Sequence, residues 1–530
     1  MTAPYRSTVP AGRASFAQLV HAEWTKLRTV PGWMIGLAAV VVVTVLMSLL
    51  SAAGEGQPCR GGCPSIPVGP AGEPVTDTFY FVHRPLAGSG GITVRVTSLT
   101  GLIPSAADVV GRPLASVGRD REPLANAEPA LQPWAKAGII VAASTEQGSP
   151  YAAVMVTGGH GVRMQYDYTG DTAGTAGPVS RASPRWLRLT RAGDTLTGSE
   201  STDGAHWREI GTVSLAGLPA TVEAGLFVTS PQDTLVNRHL PFVTFSANRP
   251  TQATGVFDDV GLRGALPRAG WSGDDLRASN GGYPAIGGGF RQADGVFTVS
   301  GSGDIAPEVG GVDSAGRTID DSLAGVFAGL IVAIVLGALF MTAEYRSGLI
   351  RTTLAASPRR GRVLAAKAVV LGSATFVAGL AGTALSVVLG EQVLRANHNV
   401  VYPSSALTEL QVMAGSAALL AVAAVAALAL GAMLRRSAGA ITAVIVAVVL
   451  PFYLVLPALP DDAGRWLMRI TPAAGFTFQQ VLPEYPQVNA LYTPASGYYP
   501  LPPWAGFAVL CAYAAVVLGL AVFLLRRRDA

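Results

Sequence analysis

Six long stretches of the chain contain no charged residue. They cover residues 33–53, 322–343, 368–390, 410–434, 437–460 and 504–525. A helix needs about 20 mostly apolar residues to cross the hydrocarbon core of a bilayer, and each stretch meets that length. Buried helices of soluble proteins keep a polar face, which these stretches lack. The pattern therefore predicts six transmembrane helices.

The region between the first two stretches follows a different pattern. Short runs rich in β-forming residues are separated by turn residues, and no helical periodicity of useful length intervenes. The clearest runs are residues 92–96, 137–142, 152–157, 186–190, 224–229 and 255–260. Many short strands without helices are typical of a sandwich or jelly roll. The predicted fold is a multi-span α-helical membrane protein with an inserted all-β jelly-roll sandwich domain.

Composition agrees with this division. Half of the 530 residues are hydrophobic and 14% are charged, against roughly 25% charged residues in soluble proteins. The net charge is only +4, and arginine gathers at the ends of the apolar stretches, so we expect no nucleic-acid partner. Lysine occurs only at Lys26, Lys136 and Lys367, while arginine is plentiful. We attribute this bias to a GC-rich bacterial genome rather than to function and give it no structural weight.

The positive charges beside the apolar stretches predict orientation, because Lys and Arg collect on the cytoplasmic side. The side with few charges has Arg395, Arg465 and Arg469. The opposite side has fifteen: Arg6, Arg13, Lys26, Arg28, Arg346, Arg351, Arg359, Arg360, Arg362, Lys367, Arg435, Arg436, Arg526, Arg527 and Arg528. We predict a multi-pass plasma-membrane protein with both termini cytoplasmic and residues 54–321 extracytoplasmic.

This orientation defines the expected domains. Residues 1–32 form a cytoplasmic tail, 33–53 the first transmembrane helix, 54–321 the sandwich with its linkers, and 322–530 a bundle of five helices. The bundle carries a cytoplasmic loop at 344–367 and an outward segment at 461–503 that is rich in aromatic residues and proline.

The tail contains a predicted amphipathic interfacial helix. Ser15 to Gln18 has the pattern of a capping box. The residues that recur at helical spacing are Phe16, Leu19, Val20, Trp24 and Leu27, and the opposite face has Arg13, His21, Lys26 and Arg28. The alternative is a basic flank that only fixes topology and has no partner.

The loop after the second stretch predicts a short helix from Gly348 to Ala356 that ends before Pro358. Such a helix would present Arg351 and Thr352 to the cytosol. It would keep Leu349, Ile350 and Leu354 against the bundle.

Four segments, EWTKLR at 23–28, TAEYR at 342–346, RTTL at 351–354 and RVLAAK at 362–367, resemble the permease subunits of type-2 ABC exporters, especially actinobacterial ones. The resemblance covers the membrane part. It implies a half-transporter that forms a homodimer or heterodimer and binds a separate cytoplasmic ATPase, which would hold ATP and magnesium.

In that family the loop between the second and third spans couples to the ATPase, and the helix before the first span helps to dock it. By position the resemblance assigns coupling to Glu344, Tyr345, Arg346, Arg351 and Thr352. It assigns the interfacial helix to Trp24, Lys26 and Arg28. Arginine next to a membrane can equally be a simple topology anchor. The family also implies a partly re-entrant segment at 461–503, for which an interfacial aromatic belt is the alternative.

The inserted region resembles the concanavalin-like or laminin-G-like sandwich fold through WAKAGI at 134–139, YAAV at 151–154, WLRLTR at 186–191, STDG at 201–204, GLFVTS at 225–230 and FDDV at 257–260. Domains of this fold often bind glycans or proteins, so an envelope glycan or protein is a candidate ligand. Trp134 and Trp207 are candidates for the ligand surface. Core or strand-edge packing of these tryptophans is the alternative.

Cys59 and Cys63 follow the first apolar stretch, in a region expected to be extracytoplasmic, where a small disulfide loop is favoured over free thiols. We expect no metal site there, because the stretch offers too few ligands.

Motifs for chemistry in this chain are missing. No lysine follows a glycine, so no P-loop is present, and Gly-x-Ser-x-Gly and His-Glu-x-x-His are absent as well. We therefore expect no catalytic residues, no cofactor and no ATPase activity in this chain. The leading interpretation is the membrane-spanning subunit of an ATP-driven exporter. The alternatives are a membrane-anchored glycan- or protein-binding sensor or adhesion protein, and a membrane-bound hydrolase.

Overall fold

The computed structural model describes residues 15–54, 67–105, 124, 127–240, 243–267, 270–276, 286–309, 316–356, 359–455, 459, 461–490, 492–494 and 497–527. The chain forms two compact units. The bundle unit contains Met1–Pro58, Arg317–Pro483 and Tyr492–Ala530, and the sandwich unit contains Cys59–Gly316 and Glu484–Leu491. Cys59 and Cys63 lie outside the described residues.

The bundle unit is helical. Its α-helices are α1 (Phe16–Thr29), α2 (Pro31–Gly54), α3 (Val326–Arg346), α4 (Leu349–Ala356), α5 (Arg360–Ala396), α6 (Ala406–Leu434), α7 (Ser437–Val448), α8 (Leu450–Val455), α9 (Asp461–Ile470) and α10 (Pro503–Arg527). Two 3₁₀ helices cover Ile319–Leu323 and Pro472–Gln479. The predicted capping box is confirmed at α1, where the Gln18 side chain accepts from Ser15 N at 2.9 Å and Ser15 Oγ accepts from Gln18 N at 3.2 Å.

Small residues allow the helices to pack closely. A side chain at Gly337 of α3 would collide with the backbone of Ala424 in α6, and one at Gly329 would collide with Thr44 of α2. Close backbone approach at small residues is characteristic of helix contacts in membranes. Helix α6 has many buried alanines and leucines, and its residues join the same apolar core as those of α3, α5 and α10.

Five helices among the described residues are long and apolar enough to cross a membrane: Pro31–Gly54, Ile319–Arg346, Arg360–Ala396, Ala406–Leu434 and Pro503–Arg527. The prediction of six spans is not confirmed. The expected fifth span, residues 437–460, contains α7 and then the six-residue α8. Pro451 has no backbone N–H to donate, so it cannot continue the hydrogen bonding of α7, although it fits the first turn of a new helix.

The 3₁₀ helix Pro472–Gln479 is buried from Ala473 to Gln479. Gln479 Nε2 donates to Ser416 Oγ of α6 at 3.3 Å, and Thr477 Oγ1 donates to the Pro503 carbonyl at 3.1 Å. Ser416 lies ten residues into α6, or about 15 Å from its start. Part of the predicted outward segment therefore packs against α10 and against α6, at a point about 15 Å from the start of α6.

The sandwich unit consists of strands. They are β1 (Val75–Asp77), β2 (Phe79–Pro104), β3 (Ala127–Pro129), β4 (Lys136–Ala142), β5 (Tyr151–Thr157), β6 (Val162–Tyr166), β7 (Gly170–Ala173), β8 (Arg185–Ala192), β9 (Thr195–Ser201), β10 (Arg208–Ser214), β11 (Thr221–Thr229), β12 (Asp233–Leu240), β13 (Val243–Arg249), β14 (Gln252–Ala265), β15 (Ser272–Leu276), β16 (Gly289–Ala293), β17 (Val296–Gly301) and β18 (Ile305–Pro307). Two further short strands lie outside the large sheet, β19 (Gly316–Arg317) and β20 (Val400–Val401), and β20 belongs to the bundle unit.

One large antiparallel sheet folds over to make a sandwich, with β2 running through both layers. The first half of β2 pairs with β11 and β15, and β4 to β7 continue from β11; we call this layer A. The second half pairs with β8 and β14, which continue to β9, β10, β17 and β16; we call this layer B. All six predicted β-runs lie within strands, so the predicted β-sandwich is confirmed.

The main core lies between the layers. Val82, Leu226 and Val154 of layer A share one buried cluster with Val94 and Leu187 of layer B. Alternation along each strand explains this, because successive side chains point to opposite faces. Strand β8 follows the rule, with its buried and less buried residues alternating.

The outer face of layer A is covered by a two-stranded ribbon of β1 and β18. In this ribbon Thr76 pairs with Ala306, and Val75 and Ile305 pack in a second buried cluster with Phe81 and Phe227 of layer A. Lys136 Nζ, fully buried, donates to Asp304 Oδ1 at 2.6 Å and to the Ile305 carbonyl at 2.9 Å. The ribbon is therefore fixed by both apolar packing and a buried ion pair.

Candidate functional site

Several helix ends meet at one end of the bundle, which we call the basic end. Tyr345 at the end of α3 donates from its hydroxyl to the Ala432 carbonyl near the end of α6, at 3.4 Å. Arg360 at the start of α5 donates to the Leu525 carbonyl near the end of α10, at 2.7 Å. Arg435 lies over the Tyr345 ring.

Four charged side chains from three helices come together at the basic end. Glu23 and Lys26 belong to α1, Glu344 to the last turn of α3 and Lys367 to α5. Lys367 Nζ lies 2.7 Å from Glu23 Oε2 and 2.6 Å from Glu344 Oε1. Lys26 Nζ lies 2.8 Å from Glu23 Oε1 and 3.3 Å from Glu344 Oε1. We call this group the four-charge cluster.

The cluster is balanced in charge and largely buried. Lys367 is 1% exposed and Glu23 is 3% exposed, so these two charges depend on their partners rather than on water, whereas the Lys26 side chain is 42% exposed. Burial lowers the pKa of Lys26, but its hydrogen bond with Glu23 and the charge of Glu344 outweigh that effect, and the pKa is raised. The cluster therefore ties α1 to the ends of α3 and α5 through paired charges.

The helix α4 follows directly. It covers Leu349–Ala356, so the predicted short helix is confirmed. Ile350 is 5% exposed, as expected, whereas Leu349 is 55% exposed, so the expectation that Leu349 packs on the bundle was wrong. Leu349 is the first residue of α4, directly after Gly348 with its positive φ of 73°. The side chain of Leu354 lies outside the part of the chain that the structure describes.

The other residues assigned by resemblance lie around the cluster. Arg346, Arg351 and Thr352 are exposed, whereas Tyr345 is partly buried. In α1, Trp24 is 43% exposed and Arg28 is exposed, while Leu27 is 1% exposed. Lys26 alone among the three assigned α1 residues joins the four-charge cluster, and it also approaches Thr353 of α4 at 3.5 Å.

The buried face of α1 differs from the predicted apolar stripe. Glu23 and Leu27 are its buried residues, and Phe16 is 41% exposed. The prediction placed Glu23 on no functional face and counted Lys367 as a topology anchor. The scarcity of lysine was the signal that could have found them, because all three lysines of the chain form ion pairs.

The two candidate tryptophans of the sandwich have occupied ring faces. Trp134 is 6% exposed and stacks on His160 with ring centroids 3.8 Å apart, and Arg163 also lies over its ring. Trp207 is partly exposed and carries the guanidinium of Arg188 at 3.6 Å from its ring centroid. Packing accounts for Trp134, whereas Trp207 stays partly exposed and its ring contacts Arg188.

In the part of the chain that the structure describes, no group of three or more His, Cys, Asp or Glu side chains could hold a metal ion.

No protein-family model and no curated protein matches the chain. Among solved structures it is similar to a functionally unknown protein from Saccharomyces cerevisiae, at 14% identity and a TM-score of 0.20 over 41% of this chain and 99% of that one. It is also similar to scytalido-glutamic peptidase with a transition state analog inhibitor, at 8% identity and a TM-score of 0.24 over 42% of this chain and 98% of that one. Likenesses at these scores support no conclusion about function.

Proposed function

We propose that this protein is the membrane-spanning permease subunit of an ATP-driven exporter and that it works as a dimer with a separate cytoplasmic ATPase. The observation that carries the proposal is the four-charge cluster. It joins the segments that the sequence resemblance assigns to ATPase docking, although Glu23 and Lys367 are separated by 344 positions.

The cluster supports a mechanical role for the basic end. Helix α4 exposes Leu349, Arg351 and Thr352 and anchors Ile350 in the core. It follows α3 after a short turn, and α3 is tied through Glu344 to Lys367 of α5. A partner that pushes on α4 would therefore load α3, α5 and α1 together, which is what conversion of ATP hydrolysis into helix movement requires.

The directions of the helices support six crossings. Helices α3, α6 and α10 all end at the basic end, and α5 begins there. Because α6 and α10 end on the same side, the chain between them has to return to the opposite side. We propose that α7 and α8 make this return in two pieces, neither of which is long enough to cross a membrane alone.

No covalent chemistry is assigned to this chain under the proposal. ATP and magnesium would bind the partner, and the transported substrate would follow a path formed by two permease copies. The proposed direction of transport and the proposed dimerisation rest on the sequence resemblance to ABC exporter permeases alone.

The test is reversal of the exposed charges on and before α4. The double variant R346E/R351E should lose most of its association with the P-loop ATPase that copurifies with the tagged wild-type chain. Reversing charges against a complementary patch costs several kcal/mol. The measurements are the amount of ATPase recovered and the ATP turnover of the purified complex.

The matched control is R526E/R527E, which reverses two exposed charges on α10 at the same end of the bundle. It should retain the ATPase. Equal recovery and turnover in R346E/R351E, or no P-loop ATPase with the wild-type chain, would contradict the proposal.

A further inference from the structure

The strands β1 to β18 of the sandwich are inserted between α2 and α3. The chain leaves the bundle unit after Pro58 and returns to it at Arg317. We call residues 52–54, at the end of α2, the departure segment. We call residues 317–323, which include the 3₁₀ helix Ile319–Leu323, the return segment. Both segments contact the end of α5 that lies away from the basic end.

The departure segment is held by the residue that follows α5. Asn397 Nδ2 donates to the carbonyl oxygens of Ala52 at 3.2 Å and of Ala53 at 3.3 Å. The last carbonyls of a helix have no partner within that helix, so Asn397 caps the end of α2. The backbone N–H of Asn397 donates in turn to the Val393 carbonyl at 2.9 Å, which fixes the capping residue to α5.

The return segment packs on α5 and on the chain that follows it. A Cβ at Gly390 would lie 2.8 Å from Ser322 Cβ, so the 3₁₀ helix lies directly on the α5 backbone. Two apolar residues of this 3₁₀ helix share a buried cluster with Val387 of α5. Beyond α5, Tyr402 N donates to the Arg317 carbonyl at 2.8 Å, where β20 pairs with β19. Helices α2 and α3 each lead to one of the two segments, whereas α5 contacts both.

Helix α5 runs without interruption from the basic end to these segments. It contains 37 residues, Arg360–Ala396, and no proline, so it is about 55 Å long. Crossing the hydrocarbon core of a bilayer needs only about 30 Å. Near the start of α5, Lys367 pairs with Glu23 of α1 and Glu344 of α3. One continuous helix therefore joins the four-charge cluster to both the departure and the return segment.

We propose that α5 is a transmission helix, which carries movement of the basic end to the departure and return segments and so moves the sandwich unit. Coupling between distant sites can be carried by rigid secondary structure that packs against both of them. The source of the movement rests on the proposed function, because ATP hydrolysis in the partner would drive it. Coupling is reciprocal in binding free energy, so a ligand that holds the sandwich unit would alter nucleotide binding by the ATPase.

The first experiment uses the full chain with its copurified ATPase in nanodiscs. Fluorophores are attached to T202C of the sandwich and to L407C at the exposed start of α6, in a parent chain whose native cysteines are replaced by serine. Trapping the ATPase with ADP and vanadate should shift the energy-transfer efficiency in the parent chain. In G390A/N397A the new methyl group displaces the 3₁₀ helix and the cap of α2 is lost. Most of the shift should therefore disappear, while the ATPase is still recovered.

The matched control is G372A/R395Q, which also changes one glycine and one polar side chain of α5. A Cβ at Gly372 would meet only a methyl group of Val425, at 3.2 Å, and Arg395 forms an exposed pair with Glu391. This control should shift as the parent chain does. The proposal is overturned if the parent chain with bound ATPase shows no shift, or if G390A/N397A shows the full shift.

A second experiment needs no ATPase and therefore separates failure of this proposal from failure of the proposed function. In the chain alone, K367M/E23Q releases the start of α5 from α1 and α3 and removes a charge of each sign. Hydrogen–deuterium exchange should become severalfold faster in Ile319–Leu323, at the other end of α5. Exchange should stay unchanged in the 3₁₀ helix Pro472–Gln479, which packs on α6 and α10. Unchanged exchange in Ile319–Leu323 overturns the proposal, whereas the absence of a copurifying ATPase contradicts only the proposed function.

Discussion

At the residue scale, each of the three lysines forms an ion pair with a carboxylate. Lys367 bridges Glu23 and Glu344, Lys26 approaches the same two carboxylates, and the fully buried Lys136 pairs with Asp304. An ammonium is a compact point charge with three donors, whereas the planar guanidinium of arginine needs a wider, fork-shaped partner. In a chain that otherwise uses arginine, Lys136 and Lys367 lie where one small cation is enclosed, whereas the side chain of Lys26 is 42% exposed.

The first residue-scale prediction concerns Lys367. Replacement by methionine keeps the apolar stem but leaves two buried carboxylates with Lys26 alone. Loss of one partner of a buried pair costs roughly 3–5 kcal/mol. The K367M variant should therefore unfold at a clearly lower temperature, measured by thermal denaturation of the full chain in nanodiscs.

Two further variants interpret that result. K367M/E23Q should recover much of the lost stability, because the double change removes a charge of each sign. The control R395Q breaks an exposed α5 pair with Glu391 at 3.2 Å, which should cost at most about 1 kcal/mol. Equal melting of K367M and R395Q would show that the four-charge cluster carries little stability.

The second residue-scale prediction concerns Asp77 in the ribbon. Burial raises the pKa of Asp77 from 3.8 to about 6, although hydrogen bonds from the Tyr168 hydroxyl and the Gly148 N–H oppose the shift. The folded chain therefore binds this proton more tightly than the unfolded chain. The contribution to stability is absent above about pH 6 and grows as pH falls toward 3.8.

A shift of this size is equivalent to about 3 kcal/mol. In a fragment of residues 67–309, wild type should gain roughly 2.5 kcal/mol of stability relative to D77N between pH 7.5 and pH 4, somewhat less than the full shift because the unfolded carboxyl is already partly protonated at pH 4. Asparagine still accepts the bonds of Tyr168 and Gly148 but does not titrate. Urea unfolding at several pH values measures the difference, and a difference that does not change with pH would contradict the assignment.

At the scale of elements, sequence patterns predicted the helices and strands whose formation depends on neighbouring residues. The capping box of α1 and the short helix α4 depend on neighbouring residues, and both were found in the expected places. The β-runs were found for the same reason. The length of strand β2 was underestimated, because only residues 92–96 were predicted. The chain passes through Gly88, with φ of 65°, and on through Gly90 and Gly91 as one bending strand.

Elements that depend on distant partners could not be predicted in this way. The ribbon joins Val75 to Pro307 across the whole sandwich, and no short window contains both strands. The four-charge cluster has the same origin. All four residues lie in the segments that resemble exporter permeases. Only the packing of α1 on α5, however, brings Glu23 within 2.7 Å of Lys367.

At the scale of the whole molecule, the distribution of charge and the directions of the helices both bear on which end of the bundle faces the cytosol. The basic end gathers Arg346 of α3, Arg360 of α5 and Arg526 of α10, together with Arg435 directly after α6. The contacts that join these helix ends do not depend on any assumption about a membrane. Lys and Arg beside spans are retained in the cytoplasm, so the basic end should face the cytosol.

The last prediction is therefore topological: the sandwich unit faces outward and α4 faces the cytosol. Single cysteines would be placed at two exposed sites, T202C between β9 and β10 and S347C between α3 and α4, in a chain whose Cys59, Cys63 and Cys511 are replaced by serine. A membrane-impermeant maleimide applied to intact cells should label T202C and leave S347C unlabelled until the membrane is opened. The fifteen-to-three charge ratio beside the apolar stretches is the physical reason. Labelling of S347C but not T202C in intact cells would reverse the orientation and move α4 out of reach of any cytoplasmic ATPase.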